Sequence, residues 1–194
     1  MTVEIVYETH AITTDNEAGI STGWLPGRLS AQGRREALEL GQRRRNEDIA
    51  AVFTSDLHRS VKTARLAFPD GHPPIHQDVR LRECNYGVLN GRPSHLVDAQ
   101  RAHCIDTPFP DGQSYRQVLT ATTAFLHDLI QHWDDQRVLV IAHTANKWAL
   151  DCLLTGASLT ELLTAPFDWR PDGWLYTLPT NWDADRTEPF RTQP

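Results

Sequence analysis

Val138-Leu139-Val140-Ile141-Ala142-His143 is an unbroken apolar run, rich in β-branched residues, that stops on a histidine. A strand with no polar face is buried on both sides, as in a parallel sheet covered by helices above and below. Parallel strands need crossover helices, and the flanking sequence supplies them. On the N-terminal side Tyr115, Val118, Leu119, Thr122, Phe125, Leu126, Leu129, Ile130 and Trp133 recur at three- and four-residue spacing, which predicts one long helix. On the C-terminal side a helix is predicted through Trp148 and Leu153, then a short one near residues 159–163. Gly173-Trp174-Leu175-Tyr176-Thr177-Leu178 reads as a final strand.

The N-terminal half repeats the alternation. Val3-Glu4-Ile5-Val6-Tyr7 reads as a strand, and the polar, glycine-containing residues 8–29 read as a long loop of the kind that usually carries function. Ser30 caps a helix running to about Arg45, and Ala50-Ala51-Val52-Phe53-Thr54 is the next strand. From Leu57 the apolar positions Val61, Ala64 and Phe68 keep helical spacing until Pro69-Asp70-Gly71. A short extended segment is predicted at Leu81-Arg82-Glu83, and a modest helix from Pro93 to His103. No repeat or linker divides the chain. The pattern predicts an α/β fold: a single three-layer α/β/α sandwich over residues 1–180 around a mostly parallel central sheet, with a tail at 181–194.

Composition narrows the class. Of 194 residues, 40% are hydrophobic and 23% charged, which are ordinary globular values. No apolar run approaches the roughly 18 residues of a membrane span, and the start has no signal-like block, so a cytoplasmic location is expected. Cys84, Cys104 and Cys152 are odd in number and lack metal-ligand spacing, which predicts free thiols. A net charge of -6 argues against nucleic acid and anionic membrane as partners, so an anionic ligand needs a local basic site.

In open parallel sheets the ligand crevice lies beyond the carboxyl ends of the strands. His10, the segment Ser55-Asp56-Leu57-His58-Arg59, and His143 all follow predicted strands. At these residues the chain resembles the histidine phosphatase superfamily, which includes the phosphoglycerate mutases and many small phosphatases. Thr9-His10-Ala11 stands where that family has Arg-His-Gly. The resemblance continues through residues 13–19, Gly23-Trp24-Leu25 and residues 29–34. Residues 54–64 resemble the block whose arginine binds phosphate, residues 81–91 the segment carrying an acid, Pro110-Asp111-Gly112-Gln113-Ser114-Tyr115 the loop before the long helix, and residues 138–143 the segment with the second histidine.

The resemblance implies that the fold is phosphoglycerate mutase-like and that His10 attacks phosphorus to form a phosphohistidine. Arg59 and His143 then hold the phosphoryl oxygens with help from Asn16, and Glu83 protonates the leaving group. Each role suits its chemistry. A neutral imidazole splits one hard displacement into two easier ones, a guanidinium fork matches phosphoryl oxygens, and a desolvated carboxyl keeps its proton near working pH. The implied substrate is a small phosphorylated metabolite, with no metal and no cofactor.

One position departs from the family: Thr9 replaces the arginine before the nucleophile, and Glu8 precedes it. Arg28, Arg82 and Lys147 are the candidates to replace the lost cation. The gap leaves a catalytically silent phosphate-binding or scaffold protein as a rival reading, with a phosphomutase as a further alternative. Trp24, Trp169 and Trp174 are candidate pocket walls, whereas Tyr115, Trp133 and Trp148 fit core faces. Cys84 reads as a packing residue and His72 with His76 as no metal site. Arg43-Arg44-Arg45, flanked by acids, reads as an inert solvated helix end.

Overall fold

A computed structural model describes residues 1–184. In chain order the elements are β1 (Thr2–Thr9), α1 (Thr14–Glu17), β2 (Ile20–Ser21), α2 (Ala31–Arg44), β3 (Ala51–Thr54), α3 (His58–Ala67) and β4 (Ile75–Gln77). They continue with β5 (Arg92–Pro93), α4 (Ser94–Asp98), α5 (Tyr115–His132), β6 (Arg137–Ala142), α6 (Thr144–Leu150), α7 (Leu159–Thr164) and β7 (Trp174–Pro179). Five strands form the main sheet in the order β4-β3-β6-β1-β7, and β2 pairs with β5 in a small separate ribbon. All main-sheet neighbours are parallel except β7, which runs antiparallel to β1.

The alternation within β6 explains its unbroken apolar sequence. Val138 and Val140 join Ile5, Tyr7 and Phe53 under Phe125, Leu126 and Leu129 of α5. Leu139 and Ile141 point to the other face, where Val6 and Val52 meet Leu40 of α2 and Ala64 of α3. Each such side chain contributes about 1.5–3 kcal/mol on burial, so a polar residue anywhere in the run would be costly.

Register brings the chemistry to one edge. Thr9 of β1 lies opposite Ala142 of β6, and Thr54 of β3 lies opposite Ile141. Three strands therefore end level, and the residues that follow them, His10, Ser55 and His143, are neighbours across the sheet edge. Ser30 Oγ accepts from Gly33 N at 3.1 Å, capping α2 as predicted. A Cβ at Gly33 would lie 1.9 Å from Ile12 O, so only glycine lets the loop after His10 press onto α2.

Several expectations need correction. β4 is a strand where none was predicted. The segment near Leu81 is a 3-10 turn over Val79–Leu81, followed by irregular backbone. The Pro93 to His103 helix is two short pieces, α4 and a 3-10 turn over Arg101–Cys104. The long loop holds α1 and β2. Residues 181–184, assigned to the tail, pack on the domain: Ala184 is buried and Trp182 Nε1 donates to Leu153 O at 3.2 Å. The rest of the expected tail lies outside the described residues. Arg43 and Arg44 are not inert, because both hold the buried Glu8, at 3.2 and 2.8 Å. Trp174 does not wall the space beside His10: its ring packs in the core at a tilt against Tyr7 and Phe167, and its remaining face lines a separate pocket with Lys147. Among the described residues no helix is long and apolar enough to cross a membrane.

Candidate active site

His10 and His143 face each other with ring centroids 5.1 Å apart. His10 N continues the sheet ladder by donating to Ala142 O at 2.9 Å, which fixes its backbone against the strand bearing the other histidine. Its Nδ1 lies 2.9 Å from Ala11 O, an acceptor only, so that nitrogen carries the proton and Nε2 keeps its lone pair. Arg59 Nε donates to this Nε2 at 3.1 Å. Burial first and the Arg59 charge second lower the His10 pKa to about 3, so the imidazole is neutral across the physiological range.

His143 is fully buried, and burial pulls its pKa well below the usual value. Its Nε2 lies 2.7 Å from Ser55 Oγ and 3.4 Å from Ser60 Oγ, while its Nδ1 has no partner. With the serine hydroxyl donating to Nε2, Nδ1 carries a proton. An orphaned buried donor costs free energy unless something accepts from it, and a phosphoryl oxygen is such an acceptor. Tyr7 Oη donates to His143 O at 2.5 Å from beneath, and α6 starts directly after His143.

Arg59 sits in the first turn of α3, 2% exposed, with Nη2 donating to Gly23 O at 2.8 Å and Nη1 to Leu25 O at 3.4 Å. The loop carbonyls hold the guanidinium fork against His10. Glu83 is buried in the irregular segment after the 3-10 turn at Val79–Leu81, where Oε1 accepts from Cys84 N at 2.8 Å. Burial raises its pKa, and the Cys84 amide and the Arg59 charge offset only part of that rise. Trp24 Nε1 donates to Glu83 O at 2.6 Å, so this tryptophan anchors the acid's backbone. Cys84 is buried, and burial pushes its thiol pKa up, in keeping with a packing role.

A cleft of about 350 Å³ opens beside His10, lined by Thr9, Ile12, Asn16, Glu36, Thr144, Phe167 and Trp169. Asn16 closes a capping box with Thr13, its Oδ1 accepting from Thr13 N at 3.0 Å, which leaves the amide nitrogen for a ligand. The three candidate cations diverge. Arg82 forms a bidentate pair with Asp56 at 2.6 and 2.5 Å and stacks over Trp24 at 4.6 Å. Lys147 pairs with Asp151 and lies 4.8 Å from the Trp174 ring, in a different pocket. Arg28 is exposed and does not line the cleft. None of the three lines the cleft at Thr9, and Arg43, which shares a neighbouring groove with Thr9 and His10, is paired with Glu8. His72 and His76 gather no metal-ligand group either, and His76 stacks on Phe53 at 5.3 Å.

Three contributors escaped the sequence reading. Ser55 sets the His143 tautomer, Glu8 ties the end of β1 to α2 through Arg43 and Arg44, and Glu36 places a carboxylate in the cleft. Only Ser55, directly after a strand, carried a positional signal. The other two depend on helix α2 crossing the strand end.

Residues 9–170 match the histidine phosphatase superfamily (branch 1). The chain is 28% identical to the putative phosphoserine phosphatase 2 of Hydrogenobacter thermophilus over 170 residues, covering 82% of each chain. It is 28% identical to a probable phosphoglycerate mutase, GpmB, of Yersinia enterocolitica, covering 89% of this chain and 90% of that one. A similar match to the Citrobacter koseri GpmB covers 66% of this chain and 61% of the relative. Among solved structures, YhfR of Bacillus stearothermophilus superposes with a TM-score of 0.77 at 23% identity, over 87% and 88% of the two chains. A mycobacterial glucosyl-3-phosphoglycerate phosphatase bound to VO3 superposes at 0.74 and 21%, over 84% and 87%.

Proposed function

The chain belongs to the histidine phosphatase superfamily, and from that membership we propose that it is a phosphatase hydrolysing a small phosphomonoester through a phosphohistidine on His10. The observation that carries this reading is the contact of a neutral, lone-pair-bearing His10 Nε2 with the Arg59 guanidinium, 5.1 Å ring to ring from a His143 with an unspent donor. A phosphoryl group entering between them meets a nucleophile and two donors at once.

In the first half-reaction His10 Nε2 bonds to phosphorus as the ester P–O bond breaks, and Glu83 gives its proton to the departing oxygen. In the second, the Glu83 carboxylate takes a proton from water, the water oxygen bonds to phosphorus, and the P–N bond breaks to release inorganic phosphate. Charge on the peripheral oxygens is offset by Arg59, His143 and Asn16. No step runs through a metal, so chelator is expected to leave the rate unchanged. We also propose a cytoplasmic location, with which the absence of a membrane-length apolar helix among the described residues is compatible.

A catalytically silent phosphate-binding protein is the rival, and Thr9 is the observation that favours it. Phosphate release from an aryl phosphate and from a panel of phosphorylated metabolites, with His10→Ala as background, separates the two. Turnover abolished by His10→Ala supports the phosphatase, and turnover no higher than that background supports the silent protein. Transfer of phosphate between two metabolites without release would instead identify a mutase, the activity in the names of several relatives.

A further inference from the structure

The cleft beside His10 differs in charge from the side of His10 that faces Arg59 and His143. Glu36 reaches it from α2, with Oε2 accepting from Ile12 N at 3.1 Å and Oε1 from Gln32 Nε2 at 3.2 Å. These are neutral donors. No ion pair to Glu36 exists among the described residues, and Arg43, the cation nearest along the adjoining groove, is given to Glu8. A carboxylate without a cation therefore borders the nucleophile on the side where Thr9 has removed an arginine.

The other walls are aromatic. Phe167 and Trp169 line the cleft, and Trp169 is 57% exposed, which leaves much of its indole free for a ligand. The segment that carries it is tied down, because Arg44 Nη2 donates to Asp172 O at 2.5 Å. A carboxylate and aromatic faces around a space of about 350 Å³ are the elements that recognise an ammonium group.

We infer that this cleft is a subsite for a cationic group on the substrate, so that the preferred phosphomonoester carries an ammonium on a short tether from the phosphate, with Glu36 and Trp169 as its specificity residues. The inference rests on the phosphatase reading for its use in catalysis but not for binding. The substrate's own cation then stands where the family's arginine is missing, close enough to offset charge on the phosphoryl oxygens.

Phosphocholine and its uncharged isostere 3,3-dimethylbutyl phosphate differ only in that charge. Calorimetric titration of full-length His10→Asn protein with each ester reads the subsite. At least tenfold tighter binding of phosphocholine is expected, falling to within about twofold when Glu36→Gln or Trp169→Leu is added, a loss of about 1.4 kcal/mol per tenfold. Two variants are used because Glu36 also supports the Ile12 amide, whereas Trp169 is on the surface. Equal affinities for the two esters, no measurable affinity for either, or a preference that survives both substitutions would overturn the inference. Turnover by the wild type is measured in parallel. A retained binding preference without turnover of any ester removes the phosphatase reading and leaves the subsite standing.

Discussion

Arg59 Nε donates to His10 Nε2 at 3.1 Å, so the cation that would bind phosphate touches the lone pair that would attack it. Burial first, and this contact second, keep the nucleophile unprotonated, and the guanidinium reserves the place of the incoming phosphoryl group. Together they hold neutral a histidine at a strand end, ordinarily a pH-sensitive residue.

Removing that charge should be visible in both roles. In Arg59→Met the His10 pKa is expected to rise from about 3, since the guanidinium is the second cause of its depression after burial. Loss of one preorganised donor to the transition state costs roughly a hundred- to a thousandfold in rate. Ring-nitrogen NMR titration and kcat/KM on an aryl phosphate check the two effects. An unmoved pKa would mean that burial alone holds His10 neutral.

The pH dependence of activity follows from the same groups. His10 is available as a nucleophile at any pH above about 3, so it sets no limb near neutrality. Glu83 must carry a proton to act as the acid, and burial raises its pKa, so kcat/KM should fall as pH rises through that raised value. The profile is expected to favour mildly acidic conditions. Glu83→Gln, assayed with the same substrate so that the substrate's own ionisation cancels in the ratio, should lose roughly a hundred- to ten-thousandfold and the alkaline limb together. A limb unchanged in the variant would assign it to another group.

Stability should respond with the opposite sign. His10 and His143 have folded pKa values below the ordinary imidazole value of 6.5, so the unfolded chain binds more protons once pH drops through 6.5. Their contribution is complete above that value and is lost progressively as pH falls towards the folded values. Glu8 and Glu83, with raised folded values, work against this trend. The histidine share is isolated by comparing denaturation midpoints of wild type and His10→Gln at pH 7.5 and 5.0. The drop between the two pH values is expected to be smaller in the variant, and an equal drop would count against a neutral buried His10.

The fold was legible where burial is one-dimensional. β6 is apolar at every position because both faces are covered, and the stripe on α5 is the face laid against the sheet, so each announces itself by periodicity. β4 is three residues long and half exposed, too short to show any period. The nearness of His10, Arg59 and His143 was legible because all three follow strand ends, whereas Glu83, which follows a 3-10 turn, was suggested only by the family resemblance. What could not be read was how charges pair across the fold. Arg82 and Lys147 lie near the site in sequence, yet Asp56 and Asp151 hold them away from the cleft. Arg43 and Arg44 looked solvated because the acid they hold, Glu8, belongs to a strand distant in sequence. Glu36 entered the site by helix rotation that single-sequence periodicity resolves only to within a face.

Restoring the family's residue tests the consequences of the gap directly. Thr9 lines the same cleft as His10, Glu36 and Trp169, and the space there is large enough for an arginine side chain. In Thr9→Arg a second guanidinium would flank the phosphoryl group, so aryl phosphate hydrolysis should rise roughly ten- to a hundredfold if the missing donor limits the rate. The same side chain would meet the Glu36 carboxylate and occupy the proposed ammonium subsite. Gain on the aryl ester should therefore come with loss of any preference for phosphocholine over its uncharged isostere. Measuring kcat/KM for all three esters separates the effects: an unchanged aryl rate would show that catalysis already compensates for Thr9, and a preserved preference would place the cation elsewhere.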